Sequence, residues 1–243
     1  MKRLFCTAIA AVTAFTFVIS AVKADEKEVS AIVDKAIKAM GGEEKLTKAA
    51  MHSTKGKGTF MGSEFTDEAV VQGIDRRRGE FEGQFGKGIF VIDNDKGWGK
   101  FGDMSFDLEG DMLANQKRAV YLMVIPMTIL PLNGKGFKVE AAGEEKVSDK
   151  AALVLKITGP DGKDFKLSFD KESGLPVKLV AKVSGFGGDD FVQESIFTEY
   201  KAFDGIQCAT KIDSKRDGES FSKREITEFK ILDKVDPKTF EKP

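Results

Sequence analysis

The chain has 243 residues, with 38 Lys and Arg against 39 Asp and Glu, one histidine and two cysteines. That balance offers no basic stripe, so charge gives no support to nucleic-acid binding. One histidine and two cysteines leave little for metal or nucleophilic chemistry, and 20 Phe against two Tyr and one Trp supply bulk without a polar handle.

Lys2 and Arg3 precede an apolar run from Leu4 to Val22, and Val22-Lys23-Ala24 puts small residues at −3 and −1 before Asp25. This predicts a cleaved secretory signal over residues 1–24 and a single exported domain over 25–243. An uncleaved anchor is the alternative, since a spanning helix needs about 20 apolar residues. The Ala24 site and the charged helix after it favour cleavage. Cys6 is too close to the N-terminus, with the apolar run continuing after it, to be a lipoprotein acylation site. Cleavage removes three basic residues and no acidic ones, taking the net charge from −1 to −4. It leaves Cys208 without an intrachain partner. A periplasmic protein with no transmembrane segment after cleavage is expected.

Val29, Ile32, Val33, Ala36, Ile37 and Met40 recur at helical spacing, which predicts a helix over Asp25 to Met40 with one apolar face. Asp25, Glu26 and Glu28 suit its first turn and Gly41-Gly42 its end. Glu43 to Ala50 reads as a second short helix. Strands are predicted over 51–60, 64–72 and 74–84. Ile89 to Ile92 is apolar on both faces, which predicts a central strand over 88–93, covered on both sides. A turn from Asp93 to Gly97 leads to a short strand with Trp98 and Phe101. Residues 110–131 lack the two-residue period. Asp111 reads as an N-cap, a helix runs to about Val124, Pro126 breaks or kinks it, and a second apolar piece ends at Pro131.

The rest reads as antiparallel sheet, with strands over 137–142, 151–158, 163–169, 175–183, 191–200, 206–214 and 221–232. Phe165, Leu167 and Phe169 alternate with Lys166 and Ser168. After a turn at Asp170 to Gly174 the alternation continues through Val177, Leu179, Ala181 and Val183. Leu155, Ile157, Phe165, Leu167, Phe169, Val177 and Leu179 are expected on the covered side. Pro176 lacks an N–H, so its strand begins there or lies at an edge. Asp204-Gly205 and Asp217-Gly218 are hairpin dipeptides.

Candidate chemistry is sparse. His52 reads as a polar residue at a strand start, and Cys208, alternating with Ile206 and Thr210, as a small buried hydrophobe. No nucleophile elbow, phosphate loop or paired-cysteine metal motif occurs, so no catalytic residue, metal or cofactor is assigned. Glu144-Glu145 and Asp189-Asp190 read as solvated turn charge. A hydrolase built on such a pair is the remotest alternative. Arg76-Arg77-Arg78 offers a place for a phosphate or lipid headgroup, but alternation splits the three between two faces, which favours a solvated strand or turn.

The order of elements, with Phe169-Asp170-Lys171-Glu172-Ser173-Gly174-Leu175-Pro176 and Asp204-Gly205-Ile206-Gln207-Cys208-Ala209-Thr210-Lys211-Ile212, resembles the LolA/LolB-type fold of exported proteins, including sensor domains of the MucB/RseB kind. That family favours aromatic-Asp-x-x-Thr/Ser-Gly-Leu-Pro at a strand end and a later Asp-Gly. Ala209 stands where Pro is common. The resemblance implies a half-open barrel with helices in its mouth, used to carry lipids or lipoprotein acyl chains between membranes.

The fold expected is therefore α+β and mainly β: a strongly curved antiparallel sheet enclosing the N-terminal helix and a kinked apolar helical insertion. The function expected is non-enzymatic periplasmic binding of a lipid or lipidated protein, possible partners including envelope membrane proteins. An envelope sensor or protein-interaction module of the same fold, with a closed core, is the alternative. The apolar cavity and lid are assigned to Phe90, Trp98, Phe101, Tyr121, Leu122, Val124, Ile125, Ile129, Leu130, Leu155, Phe165, Leu167 and Phe169.

Overall fold

The computed structural model describes residues 14–84, 86–185 and 188–243, with side chains from Asp25 onward. Residues 1–13 of the expected signal, Cys6 among them, lie outside the described residues. Helix α1 (Ala14–Ala39) runs without a break past Ala24 and Asp25, so it starts earlier than the charged segment alone predicts. From Asp25 onward its stripe behaves as the period requires: Ile32, Val33, Ala36, Ile37 and Met40 are buried. Gly41 and Gly42 end it at φ of 124° and 92°. A Cβ on Gly41 would lie 2.4 Å from the Gly205 carbonyl oxygen, so conformation and space both demand glycine. Helix α2 (Glu43–Lys48) follows and buries Leu46.

Six strands then run as a meander: β1 (Met51–Phe60), β2 (Ser63–Gln72), β3 (Arg76–Gly83), β4 (Gly86–Asp93), β5 (Lys96–Phe101) and β6 (Met104–Asp107). Helix α3 (Gly110–Thr128) and a 3-10 turn (Leu130–Asn133) lead to a second meander. Its strands are β7 (Lys138–Val147), β8 (Lys150–Thr158), β9 (Asp164–Asp170), β10 (Pro176–Ser184), β11 (Asp190–Phe203), β12 (Ile206–Arg216) and β13 (Glu219–Ile231). The last strand returns to pair with the first, β13 on β1. The two meanders thus form one antiparallel sheet of thirteen strands among the described residues. Its edges, β6 and β7, do not pair with one another, which leaves a curved half-barrel rather than a closed one. Helix α1 packs on the β7 edge, where Asp25 Oδ1 accepts from the Ala141 amide at 3.0 Å and blunts a strand otherwise open to pairing.

Local turn chemistry holds the register. Asp170 Oδ1 accepts from the Ser173 amide at 2.6 Å and its hydroxyl at 2.7 Å, while Gly174 takes φ 80°. Both residues of Asp204-Gly205 and of Asp217-Gly218 have positive φ, as type I′ hairpins require.

Some local expectations are corrected. β4 is third from the β6 edge, not central, and Ile89 and Phe90 are only half-buried. Strand β6 was too short to stand out in the sequence. Glu109, not Asp111, occupies the N-cap position of α3, without a side-chain capping bond. That helix continues through Pro126 to Thr128 rather than ending near Val124, and stops at Ile129 with φ 58°. Pro126 lies in its last turn and cannot bond the Leu122 carbonyl, but it is buried with its neighbours Val124 and Ile125, and the Thr128 hydroxyl bonds the Val124 carbonyl at 3.1 Å. Val177 is half-buried because a bulge between Pro176 and Lys178 leaves it opposite no residue of β9.

The interior is divided. Helices α1 and α2, the C-terminal half of α3 and the 3-10 turn pack into one large core with the inward residues of β8 to β13. A smaller cluster, Val71, Ile92, Leu108, Val120 and Val124, seats the other flank of α3 on β2 and β4. No helix of the described residues is long and apolar enough to cross a membrane.

Candidate functional site

Helix α3 is pinned midway along the site. Arg118, 3% exposed, donates to Asp161 Oδ2 at 3.0 Å, to the Asp164 carbonyl at 2.9 Å and to the Lys182 carbonyl at 3.1 Å. It also donates to the Tyr121 hydroxyl, which in turn donates to Asp161 Oδ1 at 2.8 Å. Burial and the Asp161 carboxylate push the Tyr121 phenol above its ordinary range. A fully satisfied buried network of this kind rigidifies what it joins, here α3 to the β8–β9 connection and β10.

On both sides of that pin, α3 borders a cavity of about 1360 Å³. The opposite wall is the inward face of β1 to β3 and β11 to β13. Alternation supplies it: Phe65, Asp67, Ala69 and Val71 from β2, then Arg77, Gly79 and Phe81 from β3. Helix α3 contributes Met112, Ala119, Leu122, Met123 and Met127. Met61, Met112 and Met123 are 68%, 51% and 45% exposed, so the cavity opens to solvent past a methionine rim. Unbranched thioethers adapt to irregular apolar ligands.

Polar groups of β1, β2 and β13 form one cluster in this wall. Arg224 grips Asp67 with two bonds, at 2.8 and 2.6 Å, and reaches Thr54 Oγ1 at 3.3 Å. The Arg77 guanidinium lies over Gly79, where an added Cβ would stand 2.2 Å from Nη1. Burial pushes Arg77 down to about 10, with Arg224 repelling it and Asp67 attracting it. It remains a cation at neutral pH. On the far side, Ser195 and Ser214 share a hydrogen bond at 2.9 Å.

Groups that could do covalent chemistry are tied down. His52 is buried, its Nδ1 2.7 Å from the Ala49 carbonyl and its ring stacked 4.9 Å from Phe229. Burial pushes its imidazole down to about 4 and the Cys208 thiol up to about 12. Among the described residues no group of three or more His, Cys, Asp and Glu is placed to hold a metal ion.

No family model and no curated protein matches the chain. Solved structures do. A LolA superfamily protein from Nitrosomonas europaea aligns over 82% of this chain and 97% of its own, at 13% identity and a TM-score of 0.52. The fold is LolA-like. A domain assigned to outer membrane lipoprotein sorting from Vibrio parahaemolyticus aligns over 86% and 97%, at 9% identity and 0.51. A DUF1329 family protein from Desulfovibrio piger aligns over 88% and 97%, at 14% identity and 0.55.

Within this LolA-like half-barrel, Phe90, Leu122 and Val124 line the cavity. Tyr121, Ile125, Ile129, Leu155, Phe165, Leu167 and Phe169 lie in the packed core beside it, with Leu130 against that core. Trp98 and Phe101 sit on β5, the second strand from the edge, with Phe101 exposed. The lining also takes Arg77, which the sequence offers only within an arginine triplet read as a solvated strand or turn, and residues it does not single out: Asp67, Arg224 and the four methionines Met61, Met112, Met123 and Met127. A signal for Asp67 exists, because it is in phase with Ala69 and Val71 on an alternating strand.

Proposed function

We propose that the protein binds and carries a lipid or lipoprotein acyl chain, without catalysis, in the cavity between α3 and the half-barrel. The cavity carries this reading. Protein interiors are normally filled to crystal density, and small-molecule pockets run to about 300–1,000 Å³. A space of about 1360 Å³ bounded by Phe65, Phe81, Leu122 and a methionine rim suits a long apolar ligand. Each methylene buried there contributes about 0.8 kcal/mol. The similar Vibrio domain, assigned to lipoprotein sorting, supports the same reading. Titration with a fluorescent acyl-chain probe tests it: saturable binding, displaced by unlabelled acyl chains, is expected. A folded protein that binds no acyl probe contradicts it.

The proposal places the protein in the periplasm, with its N-terminus at Asp25 after removal of residues 1–24. Lys2, Arg3, the apolar run and Ala24 support this. N-terminal sequencing of the soluble envelope fraction should begin at Asp25. A chain beginning at Met1 in the membrane fraction would make the apolar run an anchor.

A further inference from the structure

Arg77 is an arginine without a counter-ion of its own. Its neighbour Arg224 consumes both oxygens of Asp67, and among the described residues the Arg77 side chain makes no hydrogen bond or ion pair. His52 nearby is neutral, and Thr54 carries no charge. The cluster therefore holds one positive charge in excess, beside the apolar lining residues Phe65, Ala69, Val71 and Phe81. A cation placed beside apolar surface is costly unless it is paired. Arg76 and Arg78, on the other face of the same strand, are paired with Asp93 and Glu80. Only the inward member of the triplet is left open.

Charge is distributed along the cavity as well. Asp111, Asp189, Asp217 and Glu219 are exposed lining residues, so the rim is acidic. Arg216 at the same end is stacked on Phe221 at 3.6 Å and engaged with Gln193 at 3.3 Å. An anion is disfavoured at the rim and favoured at Arg77. The register puts Gly79 level with Ala69 and Thr54. Met61 is seven residues further along the same chain direction, about 23 Å by strand rise, a span on the scale of a long acyl chain.

Resting on the carrier reading, we infer that the ligand is an anionic amphiphile bound head-inward, its carboxylate or phosphate on Arg77 and its tail running past Phe65 and Phe81 to the methionine rim. The guanidinium offers a fork that matches either oxyanion with two bonds. Gly79 keeps that fork in place by leaving room for it.

Competition against a neutral fluorescent acyl probe tests this with three ligands of one chain length: hexadecanoic acid, hexadecyl phosphate and hexadecanol. At least one of the two anions should displace the probe about tenfold more tightly than the alcohol, as charge-assisted bonds imply, and the better anion identifies the head. Arg77→Met should abolish that preference by weakening the anions far more than the alcohol, and Arg77→Lys should keep part of it. Gly79→Ala keeps the charge but pushes the guanidinium aside, so it should weaken the preference too and serves if Arg77→Met fails to fold. Equal binding of acid, phosphate and alcohol by the parent would overturn the head-inward ligand and leave the carrier reading standing. A preference that survives both Arg77→Met and Gly79→Ala would also overturn it. Failure of all three ligands and the probe would remove both readings.

Discussion

Arg224 on β13 holds Asp67 on β2 across the strand that separates them, Nε to Oδ1 at 2.8 Å and Nη2 to Oδ2 at 2.6 Å. Gly56 of β1 lies beneath the bridge. A Cβ there would stand 2.6 Å from Asp67 Oδ1 and 3.0 Å from Arg224 Nε. The junction of the two meanders is thus fastened by side chains as well as by the β1–β13 ladder, and the fastening is also the polar part of the cavity wall.

Asp67→Asn should lower stability by about 2 kcal/mol. That is below the roughly 3–5 kcal/mol for breaking a fully buried pair, because Arg224 and Asp67 side chains are 23% and 12% exposed. Gly56→Ala, which forces the two groups apart without removing either, should show a loss of the same sign. Urea unfolding measures both, with an unchanged slope marking a stability effect rather than a change of fold. Parent-like midpoints in both variants would mean that the bridge adds nothing.

Two faces of α3 should respond differently to truncation. Ile125 is fully buried in the main core, and Ile125→Ala should cost about 2–5 kcal/mol. Met123 is 45% exposed at the rim. Met123→Ala should cost less than about 1 kcal/mol, as for exposed positions generally, while changing acyl-probe affinity. If Met123→Ala costs as much as Ile125→Ala, the wall is a closed core and not a pocket.

That contrast shows what could be read from the sequence. The Asp170–Gly174 and Asp204-Gly205 turns, the face of α1 and the alternation of Phe165, Leu167 and Phe169 are local, so they were legible. The course of α3 past Pro126 was not, because the bond a proline removes can be outweighed by burial of its neighbours, and that packing is set by distant parts of the chain. The position of the cavity was legible least of all. Phe165 in the core and Phe81 in the wall obey the same period of two, and only the placement of α1, α2 and α3 decides which half of the sheet is filled. Arg77 was visible as one of three arginines, and alternation does divide them, but the pairing of Asp67 with Arg224 is set by strands 157 residues apart in sequence.

Acid should weaken the fold through His52. Burial pushes its imidazole down to about 4, whereas an unfolded chain takes up that proton near 6.5. Between those values the unfolded state binds more protons, so the contribution is complete above about pH 6.5 and is lost as the pH falls toward 4. The loss reaches about 3 kcal/mol at 1.36 kcal/mol per unit. His52→Phe preserves a ring beside Phe229 and removes the proton site. Unfolding free energies of parent and variant, measured across this window, should converge toward acid. Because the carboxylates are common to both, a constant difference would place the imidazole in an ordinary environment.

The most direct test of the carrier reading is paramagnetic broadening of methionine methyl signals by a nitroxide-labelled fatty acid. Seven methionines follow Asp25, and four of them, Met61, Met112, Met123 and Met127, line the cavity. Met40 is sealed in the core under the α1 cap, and Met104 is exposed on the β6 edge. The four lining methyls should broaden at stoichiometric ligand while Met40 and Met104 stay sharp. Sharp signals from Met112, Met123 and Met127, or broadening strongest at Met104, would show that acyl chains do not enter between α3 and the sheet.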